Sequence, residues 1–324
     1  MTRFYGRLRT IAALAGLFLA ATFSGAQSGN PVLASVGILK GPSGIGAAWL
    51  VSDPPQTSDI AFRFLFAGSA DVVTAKLVSG EIIACVLPVN VAAKLYNAGV
   101  PLRALAVVGN GMVRFLTTDP SILGLKDIAG KEIQVAGQKA TPDYLFRFLA
   151  SRTGLAAGKD YTVSYNLQYP EAALALATGK IKSAVLPEPF ATQARQLSGD
   201  IREAFDLGSL WTSASGRADY PMSLFVVSAA FETAHPEAVK KLGDAYRASI
   251  AKTIRDPQGT AQLAESLDLG IKAAVALQAI PRSAYAYADA QFSRPEIEAM
   301  LALFLSFDPQ SIGGRLPDGQ FYGK

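Results

Sequence analysis

Two short turns carry the residues of this chain best suited to gripping a small molecule, and each is a copy of the other. Leu77, Gly80, Ile82, Val86, Leu87 and Pro88 recur 99 residues later as Leu176, Gly179, Ile181, Val185, Leu186 and Pro187. The first copy continues into Val89 and Asn90, the second into Glu188 and Pro189. Glu188 sits between two prolines that restrict its backbone and disfavour helix. A carboxylate there can accept hydrogen bonds from an amine or an aminopyrimidine edge. It can equally be a solvated group or one that pairs across a hinge. Asn90, in the corresponding turn of the first copy, is the weaker candidate.

A second set of candidates lies where strands run into helices. Gly41-Pro42-Ser43-Gly44-Ile45-Gly46 and Lys139-Ala140-Thr141-Pro142-Asp143 each place small or hydroxylated residues before a helix. Thr141 suits an N-cap and Pro142 the first helical position. Free N–H groups at helix starts favour an anion or a carbonyl-like acceptor. The glycine run matches neither the phosphate loop nor the dinucleotide fingerprint, and a tight turn without ligand is its plain alternative. Ser69, or Asp71 beside it, reads first as a helix cap. Tyr169 occupies the matching place in the second half and offers a stacking face, as does Tyr220 ahead of a later strand.

Other chemistry has little to work with. Cys85 is the one cysteine and lies inside an apolar run, where it reads as a small buried hydrophobe. His235 is the one histidine and precedes a helix start. Nucleophile–histidine catalysis and histidine- or cysteine-built metal sites therefore gain no support, and no metal or cofactor is expected. The formal charge is +4, but Arg3, Arg7 and Arg9 lie in residues 1–26, which hold no acid. Without those three of the 30 basic residues, 27 face 26 acidic ones, so no basic surface for nucleic acid is expected. The same 26 residues read as a cleavable export signal: arginines, an apolar run from Ile11 to Phe23, then Ser24-Gly25-Ala26.

The elements that must position these residues are legible as short apolar runs alternating with helical stretches. Strands are expected at Val36–Leu39, Ile60–Phe66, Ile82–Leu87 and Leu102–Val108, then again at Glu132–Ala136, Tyr161–Leu167 and Lys182–Leu186. Continuous apolar strands joined by helices imply α/β layers with mainly parallel sheets. Val239, Leu242, Tyr246, Ile250 and Ile254 form one helical stripe, and Ile297, Met300, Leu301, Phe304 and Leu305 another. Trp49 is expected to pack in its helix. The division proposed is lobe one at 31–115 plus 216–324 and lobe two at 116–215, with a two-stranded hinge near Leu116 and Ser215. Ligands of such sheets gather beyond the carboxyl ends of the strands, here between the lobes.

VGILKGPSGIG, FAGSADVVTAKLVSGEI, ATPDYLFRFL, ALATGKIKSAVLPEPF and SIGGRLPDGQFYG, in this order, span nearly all of the chain after residue 30. With them the chain resembles the periplasmic solute-binding components of ABC importers. The nearest group binds nitrate, aliphatic sulfonates, taurine and thiamine pyrimidine precursors. The resemblance implies a type II periplasmic-binding-protein architecture with Ser43, Gly44, Ser69, Asn90, Thr141, Tyr169 and Glu188 facing the cleft. It also implies a monomer in the periplasm that meets the membrane only through a permease. A pyrimidine-like heterocycle is the preferred solute because of Glu188 and the tyrosines, with a small sulfonate or carboxylate second. Two other classes remain open: a cofactor-biosynthesis enzyme of the same fold (lyase or pyrimidine synthase), and a ligand-sensing partner of a signalling protein. Export argues against the enzyme.

Overall fold

The structure is a computed structural model and describes residues 31–323. The export signal expected at 1–26 lies outside the described residues. The first lobe opens with β1 (Val32–Leu39), α1 (Pro42–Gly46), α2 (Ala48–Ser52), β2 (Ile60–Ala67), α3 (Ala70–Val78), β3 (Ala84–Pro88), α4 (Val89–Asn97) and β4 (Leu102–Gly109). The chain then crosses to a second sheet. There it forms β5 (Val113–Thr117), β6 (Glu132–Val135), α5 (Thr141–Arg152), β7 (Thr162–Ser164), α6 (Tyr169–Ala177), β8 (Ser183–Pro187), α7 (Phe190–Leu197), β9 (Arg202–Asp206) and α8 (Leu207–Ser215). It returns through β10 (Ser223–Ser228), α9 (Ala229–Ala234), α10 (Pro236–Arg255), α11 (Pro257–Ser266), α12 (Ala273–Ala279), β11 (Tyr285–Asp289) and α13 (Arg294–Phe307).

The repeat seen in the sequence is a structural repeat. The bounds of α3 and β3 recur 99 residues on as those of α6 and β8. Gly80 and Gly179, the turn residues of the two copies, both take left-handed φ, at 78° and 73°. The sheets run β11-β4-β10-β3-β1-β2 and β7-β6-β8-β5-β9. They are mixed rather than mainly parallel at the pairing level, and the crossings account for every antiparallel pair except β4–β11. β5 and β10 each arrive from the other lobe and insert antiparallel beside the repeat strand, Val113 opposite Pro187 and Ser223 opposite Pro88. Of the other pairs, β1–β2, β1–β3, β6–β7 and β6–β8 are parallel, and β4–β10, β4–β11 and β5–β9 are antiparallel.

This insertion corrects the expected lobe boundary. Val113–Thr117 belongs wholly to the second sheet, so the first crossing falls at 110–112, and Leu116, expected near a hinge, is a fully buried strand residue. The second crossing falls at 216–222. Both crossings are bound together: Asp219 accepts hydrogen bonds from the Gly111 N–H (2.8 Å) and the Tyr220 N–H (2.7 Å). Ile254 also departs from expectation. It is 54% exposed, and Thr253 takes the buried place in the last turn of α10.

One hydrophobic core runs through both lobes, holding Leu87, Phe115, Phe146, Leu301 and Phe304. Its bridge is α13, which returns to lie against α5 of the second lobe. The Tyr144 ring meets Phe304 edge-on at 5.0 Å and stacks on Phe307 at 5.6 Å. Burying one such ring contributes about 1.5–3 kcal/mol, so the lobes are joined by packing as well as by two crossing strands. Separate cores fill the outer face of each sheet, under α10 to α12 in one lobe and under α6 and α7 in the other.

Candidate functional site

The carboxyl ends of β1, β3 and β8 meet at a cleft of about 640 Å³ between the lobes. Its floor is built by the crossings. Val89 N–H donates to the Met222 carbonyl (3.0 Å), and Glu188 N–H donates to the Met112 carbonyl (2.9 Å). Each turn of the repeat is thereby tied to one crossing strand, and both methionines join Pro88 and Pro187 on the cleft surface. The walls are the first residues of helices: Pro42 and Ser43 of α1 and Ser69 and Ala70 at α3 from lobe one, Thr141 and Pro142 of α5 and Tyr169 and Pro170 of α6 from lobe two. Four helix starts from two lobes thus face one space, each presenting N–H groups that lack intrahelical partners.

The hydroxyls of Ser43, Ser69, Thr141 and Tyr169 make no hydrogen bond among the described residues and can turn to a ligand. Ser69 holds the N-cap position of α3 but makes no side-chain cap bond, so the capping role expected of it is not what its hydroxyl does. Thr141 falls one residue inside α5, behind Ala140 as N-cap. Its loop is held by Asp143, a fully buried carboxylate that accepts from Lys139 N–H (2.9 Å), Arg147 Nε (2.7 Å) and Tyr165 Oη (2.8 Å). Gly137 in the same loop has φ of 81°, and a Cβ there would collide with the Tyr169 hydroxyl. The Tyr169 ring stacks on Phe190 at 5.3 Å and 16°, giving lobe two a flat aromatic wall. Burial pushes its phenol up to about 12, so it stays a neutral donor. Opposite it, the buried Tyr285 hydroxyl donates to the Pro42 carbonyl (2.9 Å).

Charge is sparse here. Lys40 is the one charged side chain among the described residues lining the cleft, and its Nζ pairs with Asp268 at 2.5 Å. No carboxylate lines it among the described residues.

Four of the eight sequence candidates, Ser43, Ser69, Thr141 and Tyr169, are brought together on the cleft wall, and four are not. Gly44 packs into lobe one, where a Cβ would sit 2.7 Å from the Leu39 carbonyl oxygen. Tyr220 is fully buried, its hydroxyl accepts from Val113 N–H (3.3 Å), and its ring packs edge-on against Trp211. It is a core residue of the crossing. Asn90 is 7% exposed and sends its Nδ2 to the Lys139 carbonyl of the other lobe (3.3 Å). Glu188 is fully buried; it accepts from Thr192 N–H (3.0 Å) at the start of α7 and from Arg282 Nε (2.7 Å). Of the alternatives open for Glu188, pairing across the hinge is the one observed. The structure thus withdraws the carboxylate on which the pyrimidine preference rested.

Sequence reasoning missed Lys40, Phe190 and Tyr285. The first two stand inside segments already singled out, but Tyr285 joins the cleft from β11, more than 240 residues after Pro42, with no local pattern to mark it. The remaining single residues behave as expected. Cys85 is fully buried, and burial pushes its thiol well up. His235 faces Asp59 at 3.6 Å (Nδ1 to Oδ2), and Trp49 donates to Thr260 Oγ1 (2.8 Å); neither lines the cleft.

Residues 68–267, more than half of the chain, match the sequence model described as the NMT1-like family. The chain belongs to the NMT1-like family. No curated protein matches it in sequence. Among solved structures, an ABC transporter protein from Parabacteroides distasonis is similar at 28% identity and a TM-score of 0.79, over 90% of this chain and 99% of that one. The alkanesulfonate-binding protein SsuA from Xanthomonas axonopodis pv. citri bound to MOPS is similar at 18% identity and 0.66, over 90% and 96%. The periplasmic nitrate-binding protein NrtA from Synechocystis PCC 6803 is similar at 16% and 0.59, over 76% and 69%. These likenesses show the two-lobed, type II periplasmic-binding-protein fold in this NMT1-like chain.

Proposed function

We propose that this NMT1-like protein is the exported solute-capturing component of an ABC importer and performs no chemistry of its own. The observation that carries this reading is the cleft itself: helix starts from both lobes around an apolar, nearly charge-free space. In the proposed cycle the open form admits solute, the lobes close over it, and a membrane permease receives it. A solute favours the closed form only by its extra affinity for that form. The ABC transporter protein from Parabacteroides distasonis, at 28% identity over nearly its whole length, supports the same role.

The solute favoured by the wall chemistry has an apolar body and one compact acceptor head, a sulfonate or a carboxylate. Met112, Met222, Phe190 and the prolines suit the body, while free hydroxyls and helix N–H groups suit the head. The lack of a lining carboxylate disfavours an amine. A second reading, a neutral pyrimidine-like heterocycle, is kept by one observation, the flat Tyr169–Phe190 wall, where stacking contributes about 0.5–1.5 kcal/mol beyond burial.

The test is native mass spectrometry of protein purified without denaturation, followed by calorimetry with an alkanesulfonate, a linear carboxylate and an aminopyrimidine. Sulfonate or carboxylate binding that weakens in Thr141→Val supports the first reading. Binding of the aminopyrimidine alone reverses the order. Turnover of any of them by the isolated protein overturns the importer role.

A further inference from the structure

The far side of the lobe junction holds a second pocket of about 310 Å³ that solute capture does not use. Its lobe-two wall is α7, with Thr192, Arg195 and Gln196; its lobe-one wall is the end of α12 and the turn after it, with Gln278 and Arg282. Two guanidinium groups and two carboxamides therefore face one small space, and no carboxylate lines it among the described residues.

The donors there are only partly used. Arg282 gives Nε to Glu188 (2.7 Å) and one terminal nitrogen, Nη2, to Glu203, both of which sit behind the pocket wall. Its Nη1 makes no hydrogen bond among the described residues. Arg195 touches Glu203 only at 3.9 Å, beyond hydrogen-bond reach, and is 43% exposed. Thr192 on the same wall carries a buried hydroxyl without a hydrogen-bond partner among the described residues. The Arg282 guanidinium, held by Glu188 and Glu203, is pre-organised for a planar or tetrahedral oxyanion, and Arg195 adds a second, mobile guanidinium beside it.

We propose that this pocket is a second binding site, for a small oxyanion such as a carboxylate or phosphate group, distinct from the solute cleft. The Arg195 side chain and the free arm of Arg282 grip the anion, with Gln278 completing the ring. Because α7 belongs to one lobe and Arg282 to the other, a bound anion clips the lobes in the arrangement described here. Occupancy of the pocket thereby biases the protein toward this lobe arrangement without entering the cleft.

The experiment titrates the whole protein with inorganic phosphate, which lacks the apolar body proposed for the cleft solute, at low ionic strength. Binding is read by calorimetry and by the midpoint of thermal unfolding. Phosphate is expected to bind and to raise the midpoint. Arg195→Gln should weaken binding about tenfold, the loss of one charge-assisted contact. Arg282 is left in place because its loss strands Glu188. Gln278→Leu, on an exposed position, is the second variant and should weaken binding several-fold. Thr141→Val, in the cleft, should leave it unchanged. The proposal is overturned if phosphate does not bind, if Arg195→Gln and Gln278→Leu bind it as tightly as the parent, or if Thr141→Val abolishes the effect. That last result would place the anion in the cleft and leave the proposed function standing.

Discussion

The turns after β3 and β8 descend from one pattern, place a proline on the same cleft floor, and tie to opposite crossing strands through equivalent backbone bonds. Their polar side chains differ in kind. Asn90 ties lobe one to lobe two through a single neutral hydrogen bond to the Lys139 carbonyl. Glu188 ties lobe two to lobe one through a buried ion pair with Arg282 and also caps α7 through Thr192 N–H. Arg282 binds Glu203 as well, and Arg114 donates to the Arg282 carbonyl (3.0 Å). The duplicated turn thus serves lobe attachment in both copies, by a weak neutral tie on one side and a charged network on the other, carried at neighbouring positions of the repeat. The cleft between is left with hydroxyls, backbone and apolar surface.

The comparison is tested most severely at Glu188. Removing one partner of a buried pair leaves the other without compensation, so Glu188→Ala should lose about 3 kcal/mol or more of stability in urea unfolding. Glu188→Gln should lose less, since it keeps an acceptor. A loss below about 1 kcal/mol for the alanine variant would place the charged network on a par with an exposed ion pair and erase the asymmetry. Next comes the loop that carries Thr141 and Tyr169. Gly137→Ala forces a side chain into a left-handed backbone and against the Tyr169 hydroxyl, at about 1–2 kcal/mol, and should weaken solute binding as the ring moves. Unchanged binding would remove Tyr169 from the site.

Asn90 is the mild counterpart. Asn90→Leu gives up one hydrogen bond of 3.3 Å but also removes a buried Oδ1 that has no partner among the described residues. Losing a bond of this kind costs about 1 kcal/mol and removing the orphaned acceptor offsets much of it, so the net change in urea should be under 1 kcal/mol. A loss as large as that of Glu188→Ala would show that the two ties are equivalent after all.

The sequence revealed the parts governed by local rules. The repeat, the helix starts at Thr141 and Tyr169, the strand cores and the buried state of Cys85 follow from periodicity, proline and glycine placement, and those lie where expected. It hid what depends on distant partners. Arg282 is 94 residues from Glu188, and nothing near either one announces that they meet. β5 was cut by the expected boundary because a crossing strand looks like any other short apolar run; only its antiparallel insertion beside β8 marks it. Tyr220 shows the same limit from another side, since an aromatic beside a proline fits a cleft wall and a buried crossing equally well.

The smallest expected effect lies where the two crossings touch. Asp219 accepts from Gly111 and Tyr220 N–H groups, which favour its ionised form, yet burial outweighs them and raises its carboxyl above the ordinary aspartate value. A folded-state pKa above the unfolded one means that the folded chain holds this proton more tightly. The resulting stability is full in acid, below the ordinary aspartate range, and is lost as pH climbs through the raised value. Asp219→Asn keeps an acceptor for both N–H groups and removes the titration. Its unfolding free energy should therefore fall less than the parent's as pH rises from about 4, the unperturbed aspartate value. Equal slopes for the two proteins would mean that the crossing does not penalise the charge, and the clasp between Gly111 and Tyr220 would then be as tolerant of ionisation as a surface turn.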